Sequence, residues 1–531
     1  MKKYLSITSI FLVLILGFSG CKKGYLDINE NPNAATSSTP QLVLPALLNN
    51  MSSNFLTYFS YGGFNAGYIA NGGGFSYVGS TTITYNYDPS SNTGLFNNAF
   101  SDLRSIQYLI NSTSGVQQYA LYNGVARILK SYYYQLLVDE YGNVPYSEAL
   151  LGSDNVTPKY DNQSAVYQAL VTEIDAAIAV LKANAASATV TKLTVNGADL
   201  MFAGNVTKWI QFGNNIKLRI LTRAQTGTLA AFVSTAFNTF SSEGFLLEDV
   251  LIQPGYVTTS ARQNPLWTTY QSSYTGTTTG TSVIPTSWMY SFYNGTKLTD
   301  AARGALTYRL FAAGTTPRGQ LGAPNNPNYV APNWYVGTGV GLASTEAQGL
   351  LKSRVMGQLI FPASETYFML AEAALMGHPL AGTAVDNFEN GIKASYNYLA
   401  KTGASTASSP AATLNTYLAN YKAANPTSFL VNYALATTDA QRLEAIITQK
   451  YIALNFVDGY EAWQEYKRTG YPRVSGTGAT STFASIESVA PTADRLPVRS
   501  IYPTAEYNLN PNVPAASSIS IWTSKIFWDN N

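Results

Sequence analysis

The segment Ala120-Leu121-Tyr122-Asn123-Gly124-Val125-Ala126-Arg127-Ile128-Leu129-Lys130-Ser131-Tyr132-Tyr133-Tyr134-Gln135-Leu136-Leu137-Val138-Asp139-Glu140-Tyr141-Gly142 decides the fold. Leu121, Val125, Ile128, Leu129, Tyr132 and Leu136 recur at steps of three and four, one face of a 3.6-residue helix. Gly142 stands where such a helix stops. The same period returns at Val166, Leu170, Ile174, Ile178 and Leu181, and again at Trp209, Phe212, Ile216 and Ile220. A fourth helix is marked by Tyr367, Leu370, Ala371, Ala374 and Leu375, starting at Ser364. A fifth is marked by Leu443, Ile446, Ile447, Tyr451 and Leu454, with Thr438-Asp439-Ala440-Gln441 as a capping box ahead of it. Paired antiparallel, these helices predict a mainly α fold: a tetratricopeptide-like helix-pair superhelix with long irregular loops and a few short β-strands. No clean 34-residue repeat is visible, so any such stack is degenerate.

Two stretches lack the helical period. Residues 61–94 are rich in Gly, Tyr, Asn and Ser. There Ile83, Tyr85 and Tyr87 alternate with polar residues, as in a short strand. Residues 253–345 hold seven prolines with many Gly and Thr, and carry Trp267, Trp288 and Trp334, with Tyr329 and Tyr335. A connection of that length is usually functional.

Composition narrows the chemistry. Only 12% of the 531 residues are charged, against about 25% in ordinary soluble proteins. Lys+Arg 32 balance Asp+Glu 30, so no basic excess exists to neutralise phosphates, and nucleic acid is not expected as a partner. One Cys and one His leave no disulfide, no CxxC pair and no histidine zinc helix. No metal or other cofactor is expected, although loop oxygens leave calcium open. The stretch starting at Asp27 lacks the Gly and Glu of a calcium loop, having Pro32 and Ser38 instead. His378 lies in Leu375-Met376-Gly377-His378-Pro379, a helix-stop pattern in which a His suits the negative end of the dipole.

The N-terminus reads as an address. Lys2 and Lys3 precede the apolar run Leu5 to Leu16, too short to span a bilayer. The run ends in Gly17-Phe18-Ser19-Gly20-Cys21, a bacterial lipobox with Phe18 in place of the usual Leu. Residues 1–20 are then a lipoprotein signal peptide, with Cys21 as the lipidated residue. Residues 21–45 form a tether and N-terminal arm, and residues 46–531 a single helical domain with a loop-rich insertion at about 253–345. Two or more lipid chains give durable attachment to a membrane. No second hydrophobic stretch is expected to approach the roughly 18 residues needed to cross one.

Several motifs, in order, carry a family resemblance. They are the lipobox, Leu26-Asp27-Ile28-Asn29-Glu30-Asn31-Pro32-Asn33, and Ala126 to Lys130 running on to Gln135 through Tyr146. Trp209 with Asn215 to Arg219 follows, then Gln449 to Leu454, Glu461 to Pro472, and Tyr502 to Pro511. The chain resembles the SusD/RagB family of Bacteroidota surface lipoproteins. The resemblance implies a helix-pair scaffold, a nutrient-binding rather than catalytic role, an outward-facing outer-membrane position, and a SusC-like TonB-dependent transporter as partner.

Ligand chemistry has its own argument. A flat Trp or Tyr covers the C–H face of a sugar, while Asn, Gln, Asp and Arg bond its hydroxyl edge. A surface poor in charge and rich in Tyr, Trp and Asn suits a neutral glycan. The resemblance adds that starch-binding members use aromatics from an early loop and from the long middle loop. Local context therefore selects Tyr77 and Tyr85 early, and Trp288 and Trp334 in the middle, as ligand contacts. The rivals are a peptide-binding member of the same family and an all-α surface glycosidase. Glu461 and Glu465, four apart on one helix face, are expected to serve packing or a helix surface, since glycosidase carboxylates must oppose each other across a cleft. No catalytic residue is assigned.

Overall fold

A computed structural model of the chain describes residues 38–73, 79–194, 197–328, 347–403 and 408–531. Helices dominate it. The principal ones are α1 (Pro40–Asn65), α2 (Gly94–Thr113), α3 (Ala120–Tyr141), α4 (Gln163–Asn184), α5 (Val206–Arg223), α6 (Ala301–Thr307), α7 (Ala363–Leu375), α8 (Ala384–Ala400), α9 (Ala411–Ala424), α10 (Asp439–Ala453) and α11 (Gly459–Thr469). All five helices read from the sequence are present, as α3, α4, α5, α7 and α10. Their ends follow local chemistry. Asn162, Asn205 and Thr383 accept backbone N–H bonds as N-caps of α4, α5 and α8. Thr438 and Gln441 close the capping box of α10.

Consecutive helices pack as pairs: α1 on α2, α2 on α3, α3 on α4, α4 on α5. The chain then leaves the stack for the middle region and returns, placing α7 on α5, α8 on α7 and α9 on α8. α10 lies against α7 and α8, and α11 against α10 and α1. The fold is thus the tetratricopeptide-like helix-pair arrangement expected. α1 and α11 cross at backbone contact distance. A Cβ on Gly62 would fall 2.1 Å from the Tyr460 nitrogen, and one on Gly459 would fall 2.6 Å from the Gly63 nitrogen. Only glycine fits such a crossing.

Three expectations are corrected. α1 begins at Pro40, inside the stretch read as tether. α4 has a window of mean hydropathy 1.4, apolar enough to cross a membrane. Its Val166, Leu170, Ile174, Ile178 and Leu181 are instead buried in the protein core, as in any amphipathic core helix. No strand forms at residues 83–87. Ser80–Thr84 is a short helix, and Tyr85 turns into the left-handed region at φ 57°. Ile83, Tyr85 and Tyr87 do alternate in burial with their neighbours, but no second strand pairs with them.

The strands present are short. β1 (Ile69–Asn71) pairs antiparallel with the later strand Val283–Pro285, Ile69 opposite Pro285 and Asn71 opposite Val283. Val250–Ile252 pairs with Gln358–Phe361. The middle region has more order than its composition promised: besides α6 and Val283–Pro285 it holds short helices at Pro265–Tyr270 and Ser287–Tyr290. Behind α7, Gly377 adopts φ 88° and His378 donates its backbone N–H to the Ala373 carbonyl at 2.8 Å, the helix stop read from the sequence. The His378 ring stacks on Phe237, with centroids 4.2 Å apart.

Candidate functional site

The four aromatics selected from the sequence divide in two. Tyr85 and Trp288 point inward, which removes both as ligand contacts. Tyr85 is fully buried and its hydroxyl accepts the Ser485 N–H at 3.2 Å. Burial pushes its phenol well above the usual range. Trp288 is fully buried and donates Nε1–H to the Tyr451 hydroxyl at 3.0 Å. The Lys297 amine covers its ring at 2.8 Å from the centroid, and burial lowers that amine to about 6. Tyr77 and Trp334 lie outside the described residues, as does Cys21.

One described flank of each of those two segments meets the other. Gly73, just before residues 74–78, donates its N–H to the Pro327 carbonyl at 3.3 Å. A Cβ on Gly73 would sit 1.3 Å from Asn328 Oδ1, so a larger residue there would have to displace the Asn328 side chain where the two segments touch. Asn328 immediately precedes residue 329. An amide lattice fixes this junction. Asn71 Oδ1 accepts the Gly322 N–H at 2.9 Å, and Asn71 Nδ2 donates to the Ala323 carbonyl at 3.1 Å. Asn326 Nδ2 donates to the Asn71 and Gln320 carbonyls, both at 2.8 Å. Both asparagines are buried, and a buried amide needs such partners.

A third loop arises beside this junction. Gly72 donates its N–H to the Ser282 carbonyl at 2.8 Å, at the end of the turn-rich segment Gln271 to Ser282. Within that segment Ser273 and Thr277 exchange backbone and hydroxyl bonds, and Thr275 bonds the Ser273 hydroxyl at 2.8 Å. Tyr274 stands at its tip, 48% exposed. Sequence reading missed Tyr274, because a lone Tyr among threonines has no periodic signal and only the turn shows that it faces out. Residues 74–87, 271–282 and 329–345 contain no charged residue.

Glu461 and Glu465 belong to packing. Arg219 forms a two-bonded pair with Glu365, both bonds 2.7 Å, and reaches Glu461 at 3.5 Å. Arg223 pairs with Asp139, with Glu461 at 2.5 Å and with Glu465 at 3.1 Å. Lys450 adds a bond to Glu461 at 2.9 Å, and Arg468 holds Glu372 and Glu465 at 2.7 and 2.5 Å. All are buried. Burial works to raise the Glu461 carboxyl, but Arg219, Arg223 and Lys450 outweigh it and hold it at about 2. Glu465 is likewise held well below the carboxylate range, by Arg468, Lys450 and Arg223 against burial. A general acid needs a carboxyl held protonated at the working pH, and these two are ionised between cations in packed interior.

The comparisons agree with this architecture. Residues 32–264 match a SusD-like family model described as starch-binding and associating with the outer membrane. Residues 336–528 match a second SusD-like model, described as SusD and RagB outer membrane lipoprotein. A chitin-binding SusD homologue from Flavobacterium johnsoniae is similar in structure, with TM-score 0.69 and 22% identity over 93% of this chain and 99% of its own. A SusD-like protein from Bacteroides thetaiotaomicron superposes with TM-score 0.68 and 21% identity, over 91% and 98% of the two chains. A SusD homologue from Bacteroides uniformis gives 0.64 and 22%, over 92% and 99%. No curated protein matches the chain. With two models of one grouping matched in order along the chain, and the same helix-pair fold, this protein belongs to the SusD/RagB family of outer membrane lipoproteins.

Proposed function

We propose that the protein is a non-catalytic lipoprotein that binds a neutral glycan on the face marked by Gly73, the Gln271–Ser282 turn and Asn328. It then delivers the glycan to a SusC-like TonB-dependent transporter. The observation that carries this reading is the junction of Gly73 with Pro327 and Asn328, which brings the roots of the Tyr77 and Trp334 segments together beside the Tyr274 turn. Aromatic side chains on uncharged, hydroxyl-rich loops supply what a sugar needs: flat apolar faces and neutral hydrogen-bonding groups. The likeness to a chitin-binding SusD homologue supports the ligand class. Cys21 serves as the lipid anchor and places the protein on the outer face of the outer membrane.

The test is calorimetric titration of the purified protein with ligands found on a glycan array. Trp334→Ala and Tyr274→Ala are each expected to weaken binding by roughly 1–3 kcal/mol, by analogy with stacking on other flat rings, with unchanged melting. Affinity is expected to vary little with salt, since residues 74–78, 271–282 and 329–345 carry no charge to be screened. A steep salt dependence would replace the neutral glycan with an acidic one, and peptide-only binding would replace it with a peptide. Cys21→Ala is expected to release the protein from membranes in fractionation. Membrane attachment as strong as that of the unaltered protein would remove the anchor from the proposal.

A further inference from the structure

A cavity of about 610 Å³ lies between α8, α9 and the start of α6. Its size falls within the range of small-molecule sites, about 300–1,000 Å³. Three tyrosines form one wall. Tyr396 stacks on Tyr417 with centroids 4.0 Å apart and planes 10° apart, and Tyr417 is nearly parallel to Tyr421. Tyr417 and Tyr421 are fixed from behind. The Tyr417 hydroxyl donates to Asp300 Oδ2 at 2.9 Å, and the Tyr421 hydroxyl accepts from Gln449 Nε2 at 2.9 Å. Among the described residues, half-buried Tyr396 makes no hydrogen bond through its hydroxyl.

The charge of the cavity is accounted for. Asp300 is the one charged side chain in its lining, and it is committed. It accepts the Arg303 backbone N–H at 3.0 Å, Arg303 Nε–H at 2.6 Å and the Tyr417 hydroxyl. Neither a cation nor an anion would therefore find a free counter-charge there. What the lining does offer is neutral. Thr413, Thr416 and Asn420 are exposed on α9, and their side chains make no hydrogen bond among the described residues. Spaced by three and four, they share the face of α9 that carries Tyr417 and Tyr421. From Thr413 to Asn420 the helix rises about 10 Å, so the row of free hydroxyl and amide groups is longer than one sugar ring.

We infer that this cavity is a second glycan site, taking a neutral disaccharide-sized segment with a C–H face toward the half-buried Tyr396 ring, which Tyr417 backs, and hydroxyls toward Thr413, Thr416 and Asn420. The inference rests on the glycan reading above but on a separate set of residues. Two sites would let one chain hold a polymer at two points, and the second contact then acts at the high effective concentration set by the first.

The test titrates the whole protein with maltose, cellobiose and N,N′-diacetylchitobiose, reading stoichiometry by calorimetry and ligand contact by saturation-transfer NMR. Asn420→Ala and Ala412→Trp change exposed positions and should leave melting unchanged. Two sites per chain are expected for the sugar that binds. Ala412→Trp, which fills the hollow, should remove one of them, and Asn420→Ala should weaken that site about tenfold. Trp334→Ala should remove only the other. A single site, lost in Trp334→Ala and untouched by Ala412→Trp, overturns the second site and leaves the proposed function standing. Binding lost in Ala412→Trp alone supports the cavity and overturns the loop face. No binding of any of the three sugars overturns the second site, while the loop-face reading is then decided by the array.

Discussion

Between α5 and α11 two arginines, Arg219 and Arg223, touch four carboxylates, whereas the stretch from Gln271 to Ser282 carries no charge. The chain is poor in charge and spends much of what it has indoors. Asp139, Arg219, Arg223, Glu365, Glu372, Lys450, Glu461, Glu465, Lys467 and Arg468 are all buried. Each acid among them meets a cation from another helix or from its own, which such burial demands. The turn from Gln271 to Ser282 is built from amides, hydroxyls and one aromatic ring instead. Charge here ties helices to one another.

The comparison predicts where damage should fall. The largest effects belong to the interior. Arg223→Met leaves Asp139, Glu461 and Glu465 short of a cation and should cost about 3–5 kcal/mol in urea unfolding. Trp288→Ala should cost a similar amount, about 3–5 kcal/mol, as a buried Trp whose indole N–H and ring are both engaged. Tyr274→Ala should leave the urea midpoint where it is. If Trp288→Ala melts like the unaltered protein, the division between the two regions is wrong.

A second, smaller effect is set by pH. Burial raises the Asp458 carboxyl to about 7, with Arg219 opposing and Glu365 reinforcing. Its folded pKa is above the unfolded value, so the fold prefers the protonated form. Stability from this group should fall as pH rises from about 4 to about 7. Asp458→Asn keeps the N-cap bond now made to the Glu461 N–H and should flatten that part of the profile. Glu461 has the opposite sign: with its pKa held at about 2, its stabilisation should be lost as pH falls below about 4.5. Urea midpoints measured from pH 3 to pH 8 read both. The smallest effect belongs to the exposed pair Arg442–Asp439, 2.6 Å apart. Arg442→Ala should change stability by less than about 1 kcal/mol.

Much of the scaffold was legible because helix burial repeats along the chain. Leu121 through Leu136 and Val166 through Leu181 announce their buried faces without any partner in view. The ionic interior was not legible, since Arg223 and Glu465 are 242 residues apart and no local spacing links them. Aromatic identity was a poor guide to the site. Trp288 and Tyr274 both sit in the irregular middle region, yet one packs on Tyr451 and the other faces out. Only tertiary structure separates them, because a large ring gains from burial wherever a partner for its polar atom exists. At Ile83, Tyr85 and Tyr87 the period of two was real, but it reported burial and not a strand.

The crossing at Gly62 and Gly459 has a consequence for how the molecule is made. An open row of helix pairs can form from one end and fray from the other. Here the first long helix is sewn to one that arrives roughly four hundred residues later. Until that late segment has emerged, Tyr58 and Tyr460, whose rings end up 5.1 Å apart, cannot meet. Contacts this distant in sequence are slow to form. A chain cut short before residue 459 should therefore fail as a whole, and be recovered as a protease-sensitive species, not as a shorter stack.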